Sequence, residues 1–430
     1  MNNDNTDFDV LIIGGGLVGA SLACALRELP LRVGVVEAHT WDDTTQPSFD
    51  ARSVALAYSS KDVFAAMSLW PAIEALGAAP IRHIHVSDRG HPGLTRLHAE
   101  DYRLDALGYV VETRVLGKVL WEAMASADNI DLVCPAQLNR VHLADTDAQI
   151  EIEQDSHPRV LTSRLLVAAD GGHSRVRDLL GIRSFTLGYD QCAVIANLSM
   201  DQSHGFTAYE RFTESGPLAL LPLQLSSQHG SESNNTASGD YSLVWTQPAS
   251  RCEATLALSD EAFIAALQSS LGDRAGQITH VGKRDVYPLT LMRSREQVRT
   301  RLAIVGNAAH TLHPVAGQGF NLGLRDVAAL SQVVADAVWS KQDLGSLAVL
   351  NRYADWRRRD QLQVGLITDG LVRVFSNKSL PLVMARNLGM IAVDVVPPLK
   401  RMLARHAMGF VGRMPRLTRG LPLHEPVSGK

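Results

Sequence analysis

The chain has 430 residues, 46% hydrophobic and 20% charged, a balance that supports two or three packed domains and excludes a disordered or collagen-like chain. Lys and Arg number 41 against 45 Asp and Glu, and the net charge of −4 gives no basic field to draw nucleic acid, which is not expected as a partner. Cys24, Cys134, Cys192 and Cys252 have no paired spacing and the histidines no metal-ligand spacing, so the sequence predicts neither a disulfide framework nor a metal site, and a reducing compartment.

Residues 1–9 carry Asp4, Asp7 and Asp9 and no Lys or Arg, so the apolar run from Val10 lacks the basic leader of a signal peptide and the chain reads as unexported. A strand at residues 9–13, a helix at 17–29 and a strand at 32–37 make a β-α-β opening. Its turn, Gly14-Gly15-Gly16-Leu17-Val18-Gly19, fits G-x-G-x-x-G. Gly14 permits the tight turn, Gly16 lets a pyrophosphate approach the helix N-terminus, and Gly19 allows close helix packing. Glu37 closes the second strand, where a carboxylate accepts hydrogen bonds from an adenosine ribose. The alternative is a glycine turn with no ligand, and the fingerprint does not separate NAD from FAD.

A second strand-to-turn junction follows residues 164–169, with Asp170-Gly171 and a helix from Ser174; alone it reads equally as a turn with an N-cap. Residues 226–240 contain no large apolar side chain and read as a flexible loop between two strands. The third junction follows the strand at 302–305 and runs Gly306-Asn307-Ala308-Ala309-His310-Thr311-Leu312-His313-Pro314-Val315-Ala316-Gly317-Gln318-Gly319-Phe320-Asn321 into a helix ending near Trp339. Its glycine density points to a second ligand contact. Three such junctions spread along the chain imply one sheet assembled from distant segments, with residues 192–287 forming an inserted domain.

Between residues 378 and 430 lie nine Lys and Arg against Asp394 and Glu425. The apolar run at 380–399 is broken by Arg386, Asn387, Asp394 and Pro397-Pro398, so no membrane span is expected. Residues 398–410 alternate apolar groups with Lys400, Arg401 and Arg405, which fits either an interfacial helix on an anionic membrane or a final helix packed on the core.

Together the three junctions resemble the aromatic-ring flavoprotein monooxygenases of the p-hydroxybenzoate hydroxylase type, over essentially the whole chain. His85-Val-Ser-Asp88, Tyr209-Glu-Arg-Phe-Thr213, Gly216-Pro-Leu-Ala-Leu-Leu-Pro222 and Val305 to Pro314 are similar to the ubiquinone-biosynthesis branch, the hydroxylases of polyprenylated methoxyphenols above all. The resemblance implies an α/β, p-hydroxybenzoate hydroxylase-like fold: a Rossmann-type FAD-binding domain in three parts (residues 1–75, 105–182 and 286–345), a β-sheet substrate domain in two (76–104 and 183–285) and a C-terminal helical region (346–430). No second nicotinamide-binding domain is expected.

It also implies FAD as cofactor, held by Gly14, Gly16, Gly19, Glu37, Arg52, Arg114, Asp170, Gly171, Gly306, Asn307, Pro314, Gly317, Gly319 and Asn321. Asn307 departs from the family, where an aspartate usually meets the ribityl hydroxyls; FAD affinity is the property this bears on. The implied reaction is NAD(P)H reduction of FAD, formation of a flavin C4a-hydroperoxide with O2, and hydroxylation of 2-polyprenyl-6-methoxyphenol to the 1,4-benzoquinol. The catalytic candidates are His313, as the base for the phenol, and Tyr209 and Arg211, in contact with substrate, each with a structural alternative: a turn-forming histidine, and a strand with one buried face.

A lipid-tailed substrate implies a cytoplasmic protein peripheral to the inner face of the cytoplasmic membrane, working beside other ubiquinone-biosynthesis proteins; a homo-oligomer is compatible with the sequence. Two alternatives stand: a sister hydroxylase of different regiochemistry, and a non-catalytic flavoprotein scaffold.

Overall fold

The computed structural model describes residues 6–40, 52–224, 239–311, 318–376 and 379–423. The opening strand, Phe8–Ile13, is central to a sheet in which Leu302–Ile304, His157–Ala168, Phe8–Ile13, Val33–Val36 and Ile130–Val133 lie side by side and parallel. Parallel strands are buried on both faces and therefore run apolar throughout. Val10 and Ile12 pack with the helices Leu17–Leu26, Thr113–Ala125 and Gln318–Trp339, while Leu11 and Ile13 pack on the other face against Ile150, Ile152 and Leu161. Each such buried aliphatic side chain contributes roughly 1.5–3 kcal/mol.

The observed elements differ from the expected ones mainly in extent. The opening helix stops at Leu26 rather than residue 29, and the strand ahead of Asp170 starts at His157, because its first half pairs antiparallel with Ala148–Gln154.

A second sheet has nine strands, eight of them in the order His310–Thr311, Asp285–Ser294, Ser184–Met200, Asp240–Pro248, Gly216–Pro222, Thr207–Thr213, His83–Asp88 and Leu94–His98. One face is covered by the helices Ala249–Leu256 and Asp260–Leu271, with Leu218, Leu220, Tyr241, Trp245 and Phe263 in the shared core. The strands that flank the polar stretch at 226–240 pair antiparallel, Leu218 opposite Trp245; residues 226–238 of that stretch lie outside the described residues. A small third sheet joins Ser53–Ala57, Gly108–Glu112 and Ala79–Ile81.

The expectation of no disulfide is corrected. Cys192 and Cys252 are bonded, with Cα atoms 6.5 Å apart, because the helix Ala249–Leu256 packs on the strand that carries Cys192. Sixty residues separate the two, and that spacing carries no local signal.

After the long helix Leu347–Ser376 come Leu380–Val395 and Pro397–Ala407, two helices that meet at 95° where Pro397 and Pro398 start a new first turn. Among the described residues no single helix is long and apolar enough to cross a membrane.

Candidate active site

One cavity of about 1520 Å³ runs from the glycine turn of the parallel sheet to the uncovered face of the nine-stranded sheet, and the helices Leu380–Val395 and Pro397–Ala407 close its side. At the first end, Gly14 has φ +101° and a Cβ there would lie 2.6 Å from the Ala169 carbonyl oxygen, so only glycine makes this turn. At Gly19 a Cβ would sit 1.9 Å from the Gly14 carbonyl oxygen. Gly16 is the N-cap of Leu17–Leu26 and no side chain caps that helix, which leaves first-turn N–H groups and the positive dipole end for an anion.

Glu37 accepts hydrogen bonds from Gly15 N–H at 2.6 Å and His39 N–H at 3.0 Å, so the carboxylate that borders the cavity also fixes the turn beside it. Asp170 Oδ2 accepts from Val176 N–H at 3.0 Å, while Oδ1 is buried without a hydrogen-bond partner among the described residues. Burial raises the Asp170 pKa, against the hydrogen bonds of the Ser174–Val176 turn.

Around the third junction the structure separates lining groups from supporting ones. Asn307 is exposed at the cavity wall, and Gly171 and Gly319 border space where an added Cβ would meet nothing within 4 Å. Gly306 is support: its N–H donates to Asp326 Oδ2 at 3.0 Å and a Cβ would strike Val18 at 2.9 Å. Asn321 lines the cavity, yet its amide also bridges Ala57 N–H and Ala55 C=O, both at 2.8 Å, tying Gln318–Trp339 to the small sheet. His313, Pro314 and Gly317 lie outside the described residues.

Beneath this junction lies a buried ionic group that the sequence reading did not single out. Asp326 Oδ2 also meets His310 Nε2 at 2.7 Å, and its Oδ1 accepts from Arg357 Nε at 2.6 Å and Gln361 Nε2 at 3.2 Å. Asp360 pairs with Arg357 and, at 3.0 Å, with Arg325. Burial alone would raise the Asp326 pKa; the charges of and hydrogen bonds from His310 and Arg357 outweigh it and hold the carboxyl at about 2. The signal in the sequence was an acid about two turns into Gln318–Trp339, at a spacing that reads equally as an exposed polar position.

Arg52 lines the cavity with its guanidinium 4.7 Å from the centre of the Tyr287 ring, itself a lining residue. Thr113 lines it too, whereas Arg114 pairs with Glu112 at 2.5 Å and is not among the lining residues.

In the substrate half the register sets the faces on which Tyr209 and Arg211 stand. Directly opposed residues of an antiparallel pair share a face. Tyr209 stands opposite Leu220 and Arg211 opposite Leu218, both in the helix-covered core. Tyr209 borders the cavity, with its ring 5.5 Å from His85 and 6.3 Å from Tyr241, whereas Arg211 does not line it. The residue between them, Glu210, is opposite Ala219 and lines the cavity with Phe212, Leu221 and Val244. Glu210, Tyr287, Arg386 and His406 are lining groups the sequence reading missed; the 207–213 alternation signalled the strand but not which face meets the cavity.

This donor set fits a flavin dinucleotide: an uncapped helix N-terminus for the diphosphate, Glu37 at the ribose position, the unpartnered Asp170 Oδ1 for a hydroxyl, and open space beside Gly319 for the ring system. Among the described residues no group of three or more His, Cys, Asp or Glu is arranged to hold a metal.

Residues 7–361 match the family model described as FAD binding domain. Ubiquinone hydroxylase UbiL of Rhodospirillum rubrum is 39% identical over 420 residues, covering 96% of this chain and 93% of that protein. The 3-demethoxyubiquinol 3-hydroxylase of Escherichia coli is 30% identical over 407 residues, covering 94% and 100%. In fold, the p-nitrophenol 4-monooxygenase PnpA of Pseudomonas putida superposes with a TM-score of 0.75 at 18% identity, over 93% of this chain and 98% of that one. The chain belongs to the FAD-binding-domain family of FAD-dependent monooxygenases, in the branch of the ubiquinone hydroxylases.

Proposed function

We propose that the protein hydroxylates a ring carbon of 2-polyprenyl-6-methoxyphenol, taking two electrons from NAD(P)H and one oxygen atom from O2 and releasing the other as water, at the inner face of the cytoplasmic membrane. The observation that carries this reading is the single cavity, dinucleotide-fitting at one end and walled by Ile84, Val86, Leu97, Ala219, Leu221 and Val244 at the other, so that an apolar substrate meets the cofactor without crossing solvent.

Bound FAD, reduced by NAD(P)H, supplies the reaction with O2 that a closed-shell phenol lacks. The chain's own groups do the rest. The positive N-terminal end of Gln318–Trp339, at Gly319 and Phe320, would offset negative charge on a bound flavin ring. The apolar wall keeps water from the reacting atoms. Glu210 is the one carboxylate among the described residues on the sheet face of the lining; its side-chain oxygen accepts the phenol proton and raises electron density at the attacked carbon.

A second reading, attack at another ring carbon of a ubiquinone intermediate, is favoured by the relative named for 3-hydroxylation of 3-demethoxyubiquinol. Aerobic turnover of the FAD-loaded protein with NADPH and a short-tailed 2-prenyl-6-methoxyphenol tests both. A product heavier by one oxygen, in step with NADPH consumed, supports hydroxylation, and its ring pattern decides the carbon. NADPH consumed to peroxide without oxygenated product means the substrate is another compound, and absence of flavin binding would move the reading to the scaffold.

A further inference from the structure

Of the thirteen large apolar side chains that stand exposed among the described residues, seven fall between residues 384 and 402. On Leu380–Val395 they are Met384, Leu388, Ile391 and Val395, at spacings of three and four, which line one helix face. Val395, Met402 and Leu388 are 71%, 66% and 64% exposed. The opposite face of the same helix is fastened to the sheet edge: Arg386 pairs with Asp88 at 2.8 Å, Asn387 accepts from Gly93 N–H at 2.7 Å, and Asp394 accepts from Arg96 N–H at 2.8 Å. Besides the inward side that carries Val383 and Met390, this helix therefore has a second, outward row of apolar residues, which an ordinary surface helix lacks.

On these two helices Lys400 is taken up by Asp101 at 3.8 Å and Asp394 at 4.0 Å, which leaves exposed arginines as the charge bordering the patch. Asp394 is the one acidic residue between 379 and 423, and its carboxylate is engaged by the Arg96 backbone; Arg401 and Arg405, one turn apart on Pro397–Ala407, are exposed beside Met402. An apolar face rimmed by uncompensated guanidinium groups complements an anionic bilayer surface, with apolar side chains at the acyl boundary and arginines at the headgroups. The inner sides of the same two helices contribute Met390, Val393, Leu403 and Ala407 to the cavity. One helix, about 10 Å thick with its side chains, therefore stands between the substrate half of the cavity and the apolar outer face.

We propose that the bent pair Leu380–Val395 and Pro397–Ala407 is a dock for anionic lipid bilayer and the doorway through which a lipid-borne substrate reaches the cavity. The docking part stands on the surface alone, and the doorway part rests on the proposed hydroxylation of a polyprenyl phenol. The test is flotation of the FAD-loaded protein with phosphatidylcholine vesicles and with phosphatidylcholine–phosphatidylglycerol vesicles, alongside a triple variant Leu388→Asp, Val395→Asp, Met402→Asp and a double variant Arg401→Gln, Arg405→Gln.

Wild type should float with the mixed vesicles, less at high salt; the triple variant should lose roughly tenfold or more of that binding and the double variant its preference for anionic lipid. Both variants should keep their FAD absorbance and their turnover of a short-tailed phenol, and the triple variant should lose turnover of a long-tailed phenol presented in vesicles. Wild type that floats with neither vesicle overturns the dock, as does sedimentation showing a dimer that the triple variant dissociates, since the covered face would then belong to a second copy. Vesicle binding that persists while no phenol is hydroxylated leaves the dock standing and removes the proposed reaction instead.

Discussion

The wall of the cavity that holds the cofactor and the wall formed by the last two described helices are stabilised differently. Under the third junction, Asp326 is fully buried and its two oxygens serve Gly306, His310, Arg357 and Gln361, so each group there depends on the others being in position. The helix Leu380–Val395 makes its polar ties on one face only and leaves Leu388 and Val395 to whatever covers the other. A cofactor that stays bound calls for a preorganised seat, whereas a substrate that comes and goes calls for a wall that can part from its neighbours. The first wall should therefore fail by loss of fold and flavin, the second by loss of turnover with stability intact.

The sharpest break is Gly19→Val, which drives a side chain into the Gly14 carbonyl oxygen; we expect protein without the flavin absorbance band and with a melting temperature well below wild type. Next is Asp326→Asn, which leaves buried Arg357 one of its two carboxylate partners and should cost about 3–5 kcal/mol by urea unfolding. The same carboxylate sets an acid limit. Its pKa lies near 2 in the folded protein against an ordinary 3.8, so its stabilisation is complete above about 4 and is lost as pH falls towards 2. Unfolding curves across that range should be flatter for Asp326→Asn than for wild type.

Glu210→Gln tests the substrate half: FAD content and stability should hold while kcat drops on the order of 10²-fold, with the pH dependence of kcat changed, as removal of a proton acceptor requires. An unchanged pH profile would leave Glu210 a wall residue only. The smallest effect belongs to Tyr287→Leu, which removes the ring beneath the Arg52 guanidinium and should cost about 0.5–1 kcal/mol.

The cofactor end was legible because its signals are local. Gly14, Gly19 and Glu37 each meet a steric or hydrogen-bonding demand set within a single β-α-β unit, and their spacing encodes that demand. The third junction was half legible: Asn307 and Gly319 border the cavity, but Gly306 and Asn321 have supporting partners, Asp326, Ala55 and Ala57, on elements that composition could not bring together.

The substrate end was the hardest to read. In Tyr209-Glu210-Arg211 every side chain is polar, so alternation reveals two faces without saying which one is the cavity, and a shift of one residue exchanges the answer. Only pairing with Leu218 and Leu220 decides it. The disulfide and the Arg386–Asp88 pair were invisible for the same reason, since each joins segments that only the folded sheet brings together.

The central claim is that cofactor and phenol meet in one water-excluding cavity. Its most direct test is turnover of the FAD-loaded protein in 18O2 with NADPH and a short-tailed 2-prenyl-6-methoxyphenol, reading the label in the product together with the peroxide released. Wild type should give one labelled oxygen per product and little peroxide, with peroxide rising when Leu221 in the wall is changed to Asp. Oxygen entering the product from water, or NADPH oxidation indifferent to the phenol and ending wholly in peroxide, would contradict it.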